Sequence, residues 1–216
     1  MTKPRLLDAY CGAGGATRGY QMAGFHVTGV DIKPQPRYVG DAFVQADALD
    51  YIREHGHEFD AIHASPPCQK YSAMTVCRPG AEHPDLVAAT RDVLDAAGLP
   101  WVIENVPGAP LNTTIELCGS MFGLKVHRHR LFESSQLLMQ PPHLPHAGRT
   151  GRAGRGASAD GWISVAGHFS DVAAARLAMG IDWMTRDELS QAIPPAYTNF
   201  IGAQLLTVLS AKEVAA

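Results

Sequence analysis

Short apolar runs that alternate with helix-patterned segments over the first 105 residues constrain this chain more than any other feature. Residues 6–9, 27–30, 43–45, 59–64 and 101–103 read as strands. The first leads into a glycine turn at 12–15 and the second ends in Asp31. The third ends near Asp47, the fourth runs toward Cys68, and the fifth ends in Glu104-Asn105. Between them, 16–23 reads as a helix stopped by Gly24, and 48–54 as a second helix. A third spans 86–97, where Leu86, Val87, Val93, Leu94 and Ala97 fall at helical spacing ahead of Gly98 and Pro100. Strands joined through helices need crossover connections, so a mostly parallel sheet with helices on both faces is expected: an α/β, Rossmann-like architecture.

From Ser134 the rhythm breaks. Pro141, Pro142 and Pro145 are followed by a Gly- and Arg-rich stretch, 148–156. Regular structure returns near Trp162, with a helix at 171–179 and a capping box at Thr185/Glu188 before a second. Pro194-Pro195 interrupts it, and a last helix covers 197–211. This divides the chain into a main unit at 1–131, a short insertion at 132–166, and C-terminal helices at 167–216.

At 46% hydrophobic and 18% charged, the chain of 216 residues is globular. No apolar run approaches about 18 residues, so no membrane span is expected. Residues 1–5 lead straight into a strand and leave no room for a signal peptide. The four cysteines, Cys11, Cys68, Cys77 and Cys118, form no paired CxxC motif. The expectation is a reduced, cytoplasmic, monomeric protein without a zinc site. The net charge of −3 does not mark a nucleic-acid binder, yet 125–155 holds Lys125, Arg128, Arg130, Arg149, Arg152 and Arg155 against Glu133 alone. Such a local basic excess suits phosphate contacts as well as it suits a solvated loop.

Four groups of residues carry chemistry. In Asp8-Ala9-Tyr10-Cys11-Gly12-Ala13-Gly14-Gly15 a strand meets a glycine-rich turn and a helix start, where backbone can approach a ligand closely. Thr17 stands where a dinucleotide fingerprint would have its third glycine, but Asp31 follows Gly12 by 19 residues, a placement that suits ribose hydroxyls. A nucleoside-containing cofactor is expected. Cys68 follows the Ser65-Pro66-Pro67 corner at the mouth of the sheet. A lone cysteine is usually inert core, but this position is where a parallel sheet places its chemistry, and a thiolate is the strongest side-chain nucleophile near neutral pH. Glu104 at a strand end can hold or deliver a proton. Arg128 and Arg130, on one face if 127–132 is a strand, can bind a carbonyl oxygen, a carboxylate or a phosphate.

Taken together, these residues resemble the DNA (cytosine-5) methyltransferase family. The family's Asp-x-Phe-x-Gly-x-Gly-Gly motif is matched at 8–15 with Tyr10 for Phe. Its Pro-Cys, Glu-Asn-Val and Arg-x-Arg motifs are matched by Pro67-Cys68-Gln69, Glu104-Asn105-Val106 and Arg128-His129-Arg130. Residues 175–180 resemble its late helix, and 190–195 its Gly-Asn-Ala-Val-Pro-Pro segment. Departures are Val126 for Gln, Ser190-Gln191 for Gly-Asn, Asp31 for Glu, and only about 35 residues where the family carries a long target-recognition region.

The resemblance implies methyl transfer from S-adenosylmethionine to C5 of cytosine in double-stranded DNA, leaving S-adenosylhomocysteine and needing no metal. Cys68 would add to C6 of a flipped-out base. Glu104 would act at N3 and the exocyclic amine, Arg130 at O2, and Arg128 would support the site. Tyr10 would stack on the adenosyl group, Asp31 would bind the ribose, and Asp47 the adenine amine. Asp8, Cys11, Gly12, Gly14, Gly15, Ile32, Ala48, Pro67, Gln191, Ala192 and Ile193 would complete the cofactor pocket. Gln69, Lys70, Ser72, Arg149, Arg152 and Arg155 would meet DNA, and so short a recognition region implies a target of a few base pairs. An RNA cytosine-5 methyltransferase, a catalytically silent binding relative, and a Cys-His hydrolase pairing Cys68 with His63 or His83 are the competing readings.

Overall fold

A computed structural model describes residues 2–67, 85–143, 145–146, 158, 161–167 and 169–215, with side chains to residue 211. Seven strands form one sheet: β1 (Arg5–Ala9), β2 (His26–Asp31), β3 (Ala42–Gln45), β4 (Ala61–Ala64), β5 (Trp101–Asn105), β6 (Thr114–Leu117) and β7 (Arg130–Ser134). The helices are α1 (Gly15–Ala23), α2 (Ala48–His55), α3 (Val87–Ala97), α4 (Val172–Met179), α5 (Arg186–Gln191) and α6 (Pro195–Ala215). None of the described helices is long and apolar enough to cross a membrane.

The strand order is β3-β2-β1-β4-β5-β7-β6. The first five strands are mutually parallel, whereas β7 runs antiparallel to β5 and to β6. Because β1 is followed by strands on one side and later by β4 on the other, the order reverses between β1 and β4. That reversal opens a crevice beyond the C-terminal ends of these two strands, where α/β sheets bind ligands.

Alternation along each strand builds two cores. Leu6, Val27, Ala61, Val102 and Phe132 join Tyr20, Phe25, Tyr197, Ile201 and Leu205 of the α1/α6 side. Leu7, Val30, Ile62 and Ile103 join Ile52, Val93 and Leu94 of the α2/α3 side. This double burial explains why the parallel strands read as unbroken apolar runs. A third cluster joins Val126, Ile163, Val165 and Phe169 to Ala175, Met179, Met184 and Leu189. The Trp183 indole N–H docks it on the Ala13 carbonyl, against the glycine turn (2.8 Å).

Two sequence expectations change here. The strand expected over 127–132 begins only at Arg130, so Arg128 and Arg130 do not share a strand face. Arg128 is buried, its guanidinium donating to the Val165 and Ser190 carbonyls, while its own carbonyl accepts from the Tyr197 hydroxyl (2.6 Å). The expected 59–64 strand starts at Ala61, because Phe59 closes a short 3-10 turn, its N–H on Gly56. The edge strand β6, Thr114-Ile115-Glu116-Leu117, was not expected at all; only Leu117 of it is buried, so its pattern is weak.

Glu133, the one acid counted against the basic residues of 125–155, is buried on β7 and accepts from Arg91 Nε and Nη2 at 2.7 and 2.8 Å. The Asn112 backbone and side-chain N–H groups also donate to it. Burial pushes this carboxyl up, but the Arg91 and Asn112 donors outweigh it and hold it below the usual carboxylate range. Glu133→Ala should cost about 3–5 kcal/mol in a urea titration, because Arg91 is left half-buried without its partner. With the folded carboxyl below its unfolded value, the contribution is intact above about pH 4.3 and is lost as pH falls further. A variant as stable as the parent would show the pair to be neutral.

Candidate active site

Apart from Arg128, which is held in the core, the described residues of the four chemical groups gather at one edge of the sheet. β1, β2, β4 and β5 are parallel, so their C-terminal ends present the glycine turn, Asp31, the Ser65-Pro66-Pro67 corner and Glu104-Asn105 together. β7 runs the other way, so its first residue, Arg130, arrives at the same edge beside Glu104.

The glycine turn is shaped by backbone that few side chains tolerate. Gly12 and Gly14 lie at positive φ (50° and 88°), and Tyr10 adopts φ 59° without being glycine. Around Gly12 a Cβ would meet nothing within 4 Å, so this side of the turn is open to a ligand. Gly15 differs: a Cβ there would press on the Ile193 carbonyl oxygen (2.7 Å), so the close approach is chain to chain. This contact brings Ala192 and Ile193 onto the turn, with Gln191 exposed beside them.

Asp31 accepts from the Gly12 N–H (3.0 Å) and the Lys33 N–H (2.9 Å), which fixes its carboxylate beside the turn. Ile32, the next residue, is 65% exposed, an unusual state for isoleucine and a ready platform for a flat apolar group. Tyr10 packs on the α2/α3 core with its hydroxyl on Thr90 (3.1 Å). Asp47 is the N-cap of α2, accepting from the Leu49 and Asp50 N–H groups, and Ala48 is buried on the first turn of that helix. Cys11 is buried with its thiol pushed far up by burial, so it is no nucleophile.

Asp8 lies buried beneath the turn, accepting from the Thr17 hydroxyl, while its other oxygen has no hydrogen-bond partner among the described residues. Burial, only partly offset by Thr17, pushes this carboxyl up to about 7. The folded state therefore binds a proton more tightly than the unfolded chain. The Asp8 contribution to stability should be complete below about pH 4 and decline as pH rises toward 7, about 1.4 kcal/mol per unit at most. Asp8→Asn should flatten that decline and raise stability at pH 8; an unchanged pH profile would contradict a protonated buried Asp8.

On the other side of the crevice Glu104 is buried (8% exposed) and its Oε1 lies 2.9 Å from Arg130 Nε. The approach is off the N–H axis, so this oxygen is left without a hydrogen bond among the described residues. Burial pushes the Glu104 carboxyl up, against the opposing pull of Arg130 and a hydrogen bond from Ser65. Behind Ser65 lies a buried relay that sequence reading missed. His63 Nε2 is 2.9 Å from the Ser65 hydroxyl, and His63 Nδ1 is 3.0 Å from the Tyr20 hydroxyl. Burial lowers the His63 pKa to about 3, so the ring is neutral. One direction satisfies every proton: Tyr20 donates to Nδ1, Nε2–H to Ser65, and Ser65 to Glu104. Both His63 nitrogens are thus engaged in the core, which removes it as the base of a Cys-His pair.

Asn105 has a role that the sequence did not reveal. Its side-chain N–H donates to the Pro66 carbonyl (3.0 Å), while its Oδ1 accepts from Val106 N–H. With the Ser65 N–H on the Ala9 carbonyl (3.1 Å), this pins the Ser65-Pro66-Pro67 corner at the sheet edge. Cys68, Gln69, Lys70, Ser72 and His83, and Arg149, Arg152 and Arg155, lie outside the described residues.

Three solved structures share this architecture. A putative DNA modification methyltransferase encoded within an E. coli prophage superposes with a TM-score of 0.66 at 14% identity, covering 96% of this chain and 100% of that one. The S. pombe Dnmt2 methyltransferase gives 0.64 at 13% identity, covering 96% and 99%. The Entamoeba histolytica methyltransferase EhMeth gives 0.55 at 15% identity, covering 98% and 99%. Likeness at this identity establishes the fold alone: an α/β, Rossmann-like fold shared with these methyltransferase structures. No protein-family profile and no curated protein sequence matches the chain.

Proposed function

We propose that this protein is a DNA (cytosine-5) methyltransferase acting on double-stranded DNA. The observation that carries the reading is the buried Glu104–Arg130 pair, with one carboxylate oxygen left without a hydrogen bond, at the sheet edge shared with the open glycine turn. A carboxyl whose proton affinity burial raises, beside the Arg130 guanidinium, is complementary to the N3/amine and O2 edge of a cytosine.

The cofactor side fits S-adenosylmethionine through the open Gly12, the exposed Ile32 as an adenine platform, and Asp31 for the ribose. The segment Gln191-Ala192-Ile193 closes on the same turn. Bound there, S-adenosylmethionine supplies an electrophilic sulfonium methyl to a carbon that the protein has made nucleophilic. The rest is this chain's own work. Cys68, next but one in the chain after the Pro66 that Asn105 pins, adds as thiolate to C6 of the base. Glu104 protonates or hydrogen-bonds N3, so the electron pair from the C5–C6 double bond is held at C5. Arg130 binds O2, while Arg128 braces 165 and 190 from within the core. After transfer, loss of the C5 proton restores the ring and expels Cys68. A base inside a duplex cannot reach this edge, so it must be flipped out. Gln69, Lys70, Ser72, Arg149, Arg152 and Arg155 are assigned to DNA contacts.

The test is methyl transfer from labelled S-adenosylmethionine to duplex DNA and to structured RNA. Label on cytosine C5 of DNA, at a site of about four base pairs or fewer as a minor-sized recognition segment allows, is the expected result. Label in RNA alone would transfer the same chemistry to another polynucleotide, and label in neither would overturn the reading.

A further inference from the structure

Beyond the end of β6 and before the start of β7, four side chains converge that the proposed reaction does not use. Cys118, His129, His143 and His146 each offer one ligand atom, and the four atoms lie within 4.8 Å of one another. Cys118 Sγ is 3.7 Å from His146 Nε2, which is 2.9 Å from His129 Nε2. The three imidazole centroids stand 4.9, 4.9 and 5.2 Å apart with their planes steeply inclined, so the rings do not simply stack on one another. Around a tetrahedral zinc ion, bond lengths of about 2.3 Å to sulfur and about 2.05 Å to nitrogen place ligand atoms about 3.3–3.6 Å apart. A single hydrogen bond between His129 and His146 would satisfy only that pair. His143 Nε2 is buried and has no partner among the described residues.

The surroundings are those of a ligand shell. The Ser120 hydroxyl donates to Cys118 Sγ (3.4 Å), and the Met121 N–H closes the turn on the Cys118 carbonyl (3.0 Å), which together hold the side chain in place. The Glu116 carboxylate lies 3.8 Å from His143 Nδ1, on the side of that ring away from its unpartnered Nε2, where a carboxylate that orients a ligating imidazole would stand. The His146 ring stacks on His127 (3.8 Å), which stacks on Trp162 (4.0 Å).

We propose that Cys118, His129, His143 and His146 form a structural site for a zinc ion. One thiolate with three imidazoles is a donor set suited to Zn²⁺, and four protein ligands leave no position for substrate, so the ion is structural rather than catalytic. Binding displaces the Cys118 thiol proton to solvent as the Zn–S bond forms. The ion would clamp the Pro-rich segment carrying His143 and His146 to the sheet edge where Arg130 begins, in a region too short for a core of its own. Sequence reading missed it because it looked for paired cysteines; the local signal was His143-x-x-His146.

Untagged full-length protein should contain about one zinc per chain by elemental mass spectrometry. After chelation, cobalt(II) should bind at about 1:1 and give intense tetrahedral d–d bands with a thiolate-to-cobalt charge-transfer band. Cys118→Ser should remove the charge-transfer band, and His143→Cys, which adds a second thiolate at the same point, should strengthen it. Weak octahedral cobalt spectra in the parent, or a charge-transfer band that survives Cys118→Ser, would overturn the site. These readouts need no substrate, so their failure leaves the proposed methyl transfer untouched, and failure of methyl transfer leaves them valid.

Discussion

Glu104→Gln should lower kcat for methyl transfer by about 10²–10⁴-fold while leaving the fold intact. Glutamine keeps the shape and can still accept from Ser65, but it cannot deliver a proton to N3, and it removes the charge facing Arg130. Cofactor affinity should stay within a few-fold, since Glu104 sits across the crevice from the glycine turn. Activity should also pass through a maximum with pH. Glu104, pushed up by burial, is in its acid form on the low side, and the Cys68 thiolate forms on the high side. Activity of Glu104→Gln within tenfold of the parent would show that the Glu104–Arg130 pair only holds the sheet edge together.

Gly19→Ala should destabilise the protein by at least about 3 kcal/mol, although alanine is the better helix former by about 1 kcal/mol. A Cβ at Gly19 would be driven into the Pro195 carbonyl oxygen and the Thr198 hydroxyl, with Asn199 N at 2.7 Å. These are backbone and a buried side chain of α6, so α1 and α6 would have to separate. For a chain of this size the melting temperature should fall by roughly 6–12 °C. Gly56→Ala is the control, since its Cβ would meet Ile52 and Ile62 at an ordinary 3.6 Å and should cost nothing. An unchanged melting temperature in Gly19→Ala would mean that the two helices pack less closely. Because the same packing sets Ile193 against Gly15, loss of cofactor affinity should accompany the loss of stability.

The parallel half of the sheet was legible because doubly buried strands leave an unmistakable apolar run and each crossover helix has its own period. The motif residues were legible for a related reason: strand ends fix where a glycine turn, Asp31 or Glu104 must emerge. Arg128 was not. A buried arginine satisfied by two backbone carbonyls leaves the same letters as one that faces a substrate. The antiparallel β6–β7 pair was equally hidden, because a mostly half-buried edge strand need not be apolar, yet that antiparallel turn is what brings Arg130 to Glu104. His63 and Ser65 sit in a strand and a corner that the sequence does define, but their link to Tyr20 and Glu104 exists only once α1 and β5 are packed against β4. The Cys118–His146 cluster failed to register because Cys118 and His129 are far in the chain from the one local spacing, His143-x-x-His146.

The most direct measurement is the intact mass of the protein after incubation with S-adenosylmethionine and duplex DNA in which the target cytosine carries fluorine at C5. Once methylated, that carbon has no proton to lose, so Cys68 cannot be expelled and the protein remains bonded to C6. A stable protein–DNA species that disappears in Cys68→Ala is the expected result. Methylation of ordinary duplex DNA with no adduct on the fluorinated strand, or an adduct that persists in Cys68→Ala, would contradict the covalent mechanism.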